Sequence, residues 1–86
     1  MYIQLLYAYQ YGGDRIEIKI NDYKKGEIIK IIREWTELTQ KEFGERIGKS
    51  KASIQDYELE KTNYGIEVLK RIAKEFDLII TIEKKK

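Results

Sequence analysis

The stretch from Leu38 to Glu58, LTQKEFGERIGKSKASIQDYE, constrains the fold more than any other part of the chain. It carries start and stop signals for two helices too short to be stable alone, so they must be held by tertiary packing. Thr39 followed by Glu42 is a capping box, which satisfies unpaired N–H groups at a helix start. Leu38 before the cap and Phe43 after it supply a hydrophobic staple. Gly48 ends the first helix in the conformation that glycine tolerates best, and Ser50 caps the next. The connection has room only for a tight turn. Phe43 and Ile47 on the first helix, and Ile54 and Tyr57 on the second, mark the inward faces. Gly44 removes a side chain where another helix can pack closely.

Around this stretch the hydrophobic period changes. Residues 1–20 set aromatic and β-branched residues on both sides of Gly12-Gly13, a hairpin signal because both turn positions want positive φ. With those glycines as the loop, Tyr11 faces Asp14, and the pairs Tyr9–Ile16, Tyr7–Ile18 and Leu5–Ile20 fall on one face. Gln10–Arg15, Ala8–Glu17 and Leu6–Lys19 then form a mostly polar second face. Between Asn21 and Thr36, Ile28, Ile31, Ile32 and Trp35 recur at helical spacing. Gly26 is a poor helix residue and leaves the start of this helix open by a turn. A further helix runs from about Gly65 to Asp77, with Ile66, Leu69, Ile72, Ala73 and Phe76 on one stripe. The isoleucine-rich LIITIE that follows reads as a strand able to join the hairpin. The expected fold is mainly α with a small β-sheet, a single domain over 1–86: hairpin 1–20, helical core 24–77 and C-terminal strand 78–83.

Composition narrows the function by exclusion. The chain has no histidine and no cysteine, which removes disulfides, zinc sites and imidazole acid/base chemistry. No metal or cofactor is expected. It has no phosphate-binding glycine loop, and its carboxylates scatter over solvent faces, so catalysis is not expected. No apolar segment approaches the roughly 18 residues of a membrane span, so a cytoplasmic protein with no membrane partner is expected. Charge is neutral ground: 17 basic residues against 15 acidic ones leave +2. From Leu38 to Gly65 the five cations, Lys41, Arg46, Lys49, Lys51 and Lys61, are matched by Glu42, Glu45, Asp56, Glu58 and Glu60. A nucleic-acid role cannot rest on net charge. The Lys84-Lys85-Lys86 tail reads as a solubilising end.

Two short helices joined by a glycine turn can present the second outward, with its N-terminal end able to enter a major groove. On spacing alone, a helical hairpin buried in a core fits equally well. The residue identities separate the two. From Gly26 to about Phe76 the chain resembles the helix-turn-helix of the phage-repressor family, which includes Cro and the lambda-type repressors and is also called the xenobiotic-response-element family. The resemblance lies in Leu38-Thr39-Gln40, Gly44, the Ile47-Gly48 turn, Ser50, Ile54, the Tyr57-Glu58 pair and the Ile72-Ala73 step. The family usually has glycine where this chain has Glu60 and proline where it has Tyr64, so the exit from the third helix is expected to differ.

The resemblance implies roles residue by residue. Gln40 would hold a phosphate at a helix start. Lys51, Ala52 and Asp56 would read bases: Lys51 donating to guanine, Ala52 touching a thymine methyl, Asp56 accepting from a cytosine amino group. The alternative for Asp56 is a solvated carboxylate. Ser53, Lys49, Lys61, Thr62 and Asn63 would contact the backbone, and Arg33 with Glu58 would form an ion pair tying the first helix to the third. Thr39, Gly48 and Ser50 are structural. The implied function is a sequence-specific binder of double-stranded DNA, a repressor or autoregulator working as a homodimer on a palindromic operator. The alternative is an antitoxin whose hairpin or strand neutralises a toxin protein.

Overall fold

The computed structural model describes residues 3–10, 15–19 and 22–84; on the strands, only the side chains of Ile18 and residues 78–80 are described. Four helices, α1 (Lys25–Trp35), α2 (Gln40–Ile47), α3 (Lys51–Glu58) and α4 (Ile66–Glu75), follow strands β1 (Ile3–Gln10) and β2 (Arg15–Lys19) and precede β3 (Leu78–Lys84). The strands form an antiparallel sheet in the order β2-β1-β3.

The register departs from the expected one. Ala8 stands opposite Ile16, Leu6 opposite Ile18 and Tyr9 opposite Arg15, one residue away from the pairs Tyr9–Ile16 and Tyr7–Ile18. A shift of one residue exchanges the two faces of a strand, so buried Ile18 shares its register position with Leu6 instead of Tyr7. The expected Gly12-Gly13 turn, the Tyr11–Asp14 and Leu5–Ile20 pairs and the end of the lysine tail lie outside the described residues. β3 continues the pairing on the other side of β1, with Ile80 opposite Ala8 and Ile79 opposite Tyr9.

The core is built where the four helices meet. Ile29, Ile32, Phe43, Ile47, Ile54 and Ile72 are all buried to 1% exposure or less, and Phe43 stacks on Phe76 with ring centroids 5.4 Å apart. Two helix phases differ from the expected stripes. On α1, Ile29 is fully buried together with Ile28 and Ile32, while Ile31 and Trp35 only border the core. On α4, Val68 takes the inward place, while Ile66, the first residue of the helix, is 62% exposed.

Gly26 explains how α1 begins. A Cβ on it would stand 2.6 Å from the carbonyl oxygens of both Tyr57 and Glu58, so the absence of a side chain lets the first turn of α1 rest against the last turn of α3. The weak helix former is a packing device.

Candidate nucleic-acid interface

The α2–α3 unit is assembled from its ends. The Thr39 hydroxyl accepts from the Glu42 N–H at 3.1 Å, and the Thr39 N–H donates to the Glu42 carboxylate at 3.0 Å. The backbone N–H of Thr39, and then its hydroxyl, hold the Glu42 carboxyl below its ordinary range. Gly48 closes α2 at φ 71°, and the Lys49 N–H returns to the Gly44 carbonyl at 2.8 Å. Ser50 then starts α3, its Oγ accepting from the Ser53 N–H at 3.0 Å. Gly44 sits under the turn: a Cβ there would lie 2.5 Å from the Lys49 carbonyl oxygen and 3.2 Å from Ile54. These contacts fix the crossing of the two helices.

A polar knot fastens α3 to the rest. Arg33 grips Glu58 with two bonds, Nε to Oε2 at 2.7 Å and Nη2 to Oε1 at 3.1 Å, and its Nη1 donates to the Leu38 carbonyl at 2.8 Å. The hydrogen bond to Glu58 raises the Arg33 pKa further above its already high ordinary value, so the guanidinium is charged throughout. The pair is nearly dry, with side-chain exposures of 14% and 5%. Gln40 joins it, donating from Nε2 to Glu58 Oε1 at 3.2 Å. The glutamine implied to hold a phosphate is thus half-buried and oriented from behind by the ion pair, with its second amide hydrogen left over.

The exit from α3 shows how the chain manages without the family's usual glycine and proline. Glu60 adopts φ 63°, the left-handed conformation that favours glycine. Its carboxylate reaches across to accept from the Gly26 N–H at 2.5 Å, at the start of α1. Tyr64 is buried, packs edge-on against Tyr57 with centroids 5.5 Å apart, and donates its hydroxyl to the Lys25 carbonyl at 2.7 Å. Lys25 answers from the other direction, its Nζ donating to the Tyr64 carbonyl and lying 4.6 Å from the ring centre. Burial, with Glu60 nearby, pushes the Tyr64 hydroxyl up to about 12. The loop between α3 and α4 is therefore clamped to α1 at two points. No sequence pattern announced this clamp.

With Ile54 and Tyr57 turned inward, α3 presents Lys51, Ala52 and Gln55 as exposed residues and Asp56 as half-buried. Lys51 and Ala52 are the first two residues of the helix, beside the turn; Asp56 stands one turn on. Ser53 is half-buried and its hydroxyl is 3.0 Å from that of Ser50, so it serves the cap as well as lying near the surface. Lys49 is exposed on the turn, and Lys61, Thr62 and Asn63 are exposed on the loop after α3, where the Lys61 N–H closes the helix on the Asp56 carbonyl at 2.9 Å. Gln55 was not singled out by sequence reasoning. It lies four residues after Lys51 and three after Ala52, on the same surface, and its amide has the donor and acceptor that match adenine.

The charge balance also changes once partners are known. Glu58 is consumed by Arg33, Glu60 is turned to the start of α1 and Glu42 is held in its capping box. Glu58 is thereby matched by Arg33 and Arg46 by Glu75, while Glu42 and Glu60 stay exposed at the helix starts they serve and Lys49, Lys51 and Lys61 face solvent. From Gly48 to Gln55, the turn and the outer start of α3, the only charged residues are the exposed Lys49 and Lys51.

None of the curated proteins or solved structures compared with the chain matches it significantly. The family model for helix-turn-helix domains matches residues 29–79, more than half the chain and all of α2, α3 and α4. The chain belongs to the helix-turn-helix family of DNA-binding transcription regulators of the Cro and C1-repressor type.

Proposed function

We propose that the protein is a repressor or autoregulator that binds a palindromic operator as a homodimer, with α3 in the major groove of each half-site. The observation that carries this reading is the outer face of α3, where Lys51 and Ala52 beside the turn and Gln55 one turn on are exposed while Ile54 and Tyr57 anchor the helix. Lys51 would donate to guanine, Ala52 would meet a thymine methyl and Gln55 an adenine edge; Asp56 would accept from a cytosine amino group. Gln40, with Ser53, Lys49, Lys61, Thr62 and Asn63, would hold the backbone and set the register without reading sequence. An acidic reader close to phosphates sharpens specificity more than affinity. One such unit reads only a few base pairs, so two copies a helical turn apart supply useful discrimination. Binding without catalysis, in the cytoplasm, completes the reading. No helix among the described residues is long and apolar enough to cross a membrane.

The hairpin expected around Gly12-Gly13, extended by β3, is the surface assigned to the second subunit. An antitoxin role, with the hairpin or β3 covering a toxin partner, is the second reading. Binding of duplexes substituted at single base pairs tests the assignment of readers. Lys51→Ala and Gln55→Ala should each relax preference at one position, and Asp56→Ala should relax another while strengthening binding to unrelated DNA. If all three variants keep the wild-type preference at every position, α3 is not the reading element.

A further inference from the structure

Between the α2–α3 turn and the loop before α4 lies a cleft of about 240 Å³ that contains Lys49, Asn63, Glu67 and Arg71. Arg71 comes from the middle of α4, outside the helix-turn-helix itself. Its guanidinium lies close to the turn: a Cβ on Gly48 would meet Nη2 at 2.7 Å and Cζ at 3.1 Å. Gly48 serves the left-handed backbone, and its missing side chain lets the guanidinium lie close to the turn. Arg71 is exposed, and the ion pairs among the described residues engage Arg33 and Arg46 instead. Lys49, on the turn, and Asn63, on the loop before α4, are exposed and line the same cleft.

We infer that Arg71 is an additional anchor for the DNA backbone, closing with Lys49 and Asn63 on one phosphate at the flank of the half-site. The inference rests on the reading that α3 enters the groove, because only then does the cleft flanking α3, between the turn before it and the loop after it, meet the sugar-phosphate strand. A guanidinium fork matches two phosphate oxygens. Lys49 adds a second charge and Asn63 a neutral donor. Glu67 is the opposing group in the cleft. Its carboxylate folds back toward Gly65, where a Cβ would stand 2.6 Å from either oxygen, in the first turn of α4 that favours an anion. It subtracts from the attraction without filling the place of the phosphate.

Arg71 and Glu67 therefore have opposite effects, which makes the test signed. Affinity for a selected operator and for an unrelated duplex is measured against salt for the full chain, Arg71→Ala and Glu67→Gln, each shown by thermal unfolding to be folded. Arg71→Ala should weaken binding to both duplexes by the same factor, on the order of tenfold, and lower the salt slope by about one. Glu67→Gln should tighten binding to both. Replacing successive phosphates by neutral methylphosphonates should then find one position at which the Arg71→Ala loss disappears. If Arg71→Ala binds as wild type, or loses affinity for the operator alone with its salt slope unchanged, the anchor is wrong although α3 still reads DNA. If the wild-type chain shows no salt-dependent binding at all, the underlying reading fails and the anchor with it.

Discussion

Glu60 carries two opposing effects that can be separated by substitution. Its backbone is left-handed at φ 63°, which costs a non-glycine residue about 1–2 kcal/mol. Its carboxylate accepts the Gly26 N–H, and because Glu60 is exposed the contribution falls toward the lower end for a charged hydrogen bond at a helix start, about 1 kcal/mol. Glu60→Ala keeps the strained backbone and loses the bond, so it should be about 1 kcal/mol less stable than wild type. Glu60→Gly loses the same bond but relieves the strain, less about 0.5–1 kcal/mol for the greater freedom of the unfolded chain. The glycine variant should therefore stand above the alanine variant by about 0.5–1 kcal/mol and close to wild type. Urea unfolding with a common slope resolves such differences. Equal stability of the alanine variant and wild type would show that the Glu60–Gly26 contact contributes nothing. A glycine variant less stable than the alanine variant by about 0.5–1 kcal/mol would show that the left-handed backbone carries no strain.

Other consequences are equally direct. Arg33→Ala strands a Glu58 carboxylate that is only 5% exposed, and urea unfolding should show a loss of about 3 kcal/mol or more; Arg33→Met combined with Glu58→Leu should recover much of that loss. Gly44→Ala would drive a methyl to 2.5 Å from the Lys49 carbonyl, so the turn must open, and a drop of about 2 kcal/mol is expected by thermal or urea unfolding. Tyr64 is held up to about 12 against an ordinary value of 10.0. Below that ordinary value both folded and unfolded states keep the proton; between it and about 12 only the unfolded state releases it, so stability falls as pH rises through this window. Tyr64→Phe should lose less stability than wild type over the same pH range, and parallel profiles would contradict the burial of the hydroxyl.

The parts of the fold that could be read from the chain are those decided by neighbours in sequence. Thr39 with Glu42, Gly48 and Ser50 form their caps within a turn of themselves, and the structure has all of them. The Arg33–Glu58 pair spans 25 residues and was reachable only through family resemblance; the structure has that too. What escaped depends on distant contact. Gly26 reads as a helix breaker until the end of α3 is seen against it, and Glu60 reads as a solvated carboxylate until its φ and its bond to Gly26 are known. Helix phase failed at Ile29 and Ile66 because runs of isoleucine satisfy several stripes, and only neighbouring helices choose among them. The strand register failed by one residue because it was inferred from an assumed two-residue loop. Gln55 was passed over because a resemblance carries only the positions a family is known to use, whereas exposure on the finished helix admits its neighbours as well.

Selection of binding sites from random duplexes decides whether two copies of α3 read a symmetric operator. The account predicts enrichment of a two-fold symmetric sequence with half-sites about one helical turn apart, bound in a strongly salt-dependent manner. Failure to enrich any sequence, with no salt-sensitive retention of DNA by the folded chain, would contradict it.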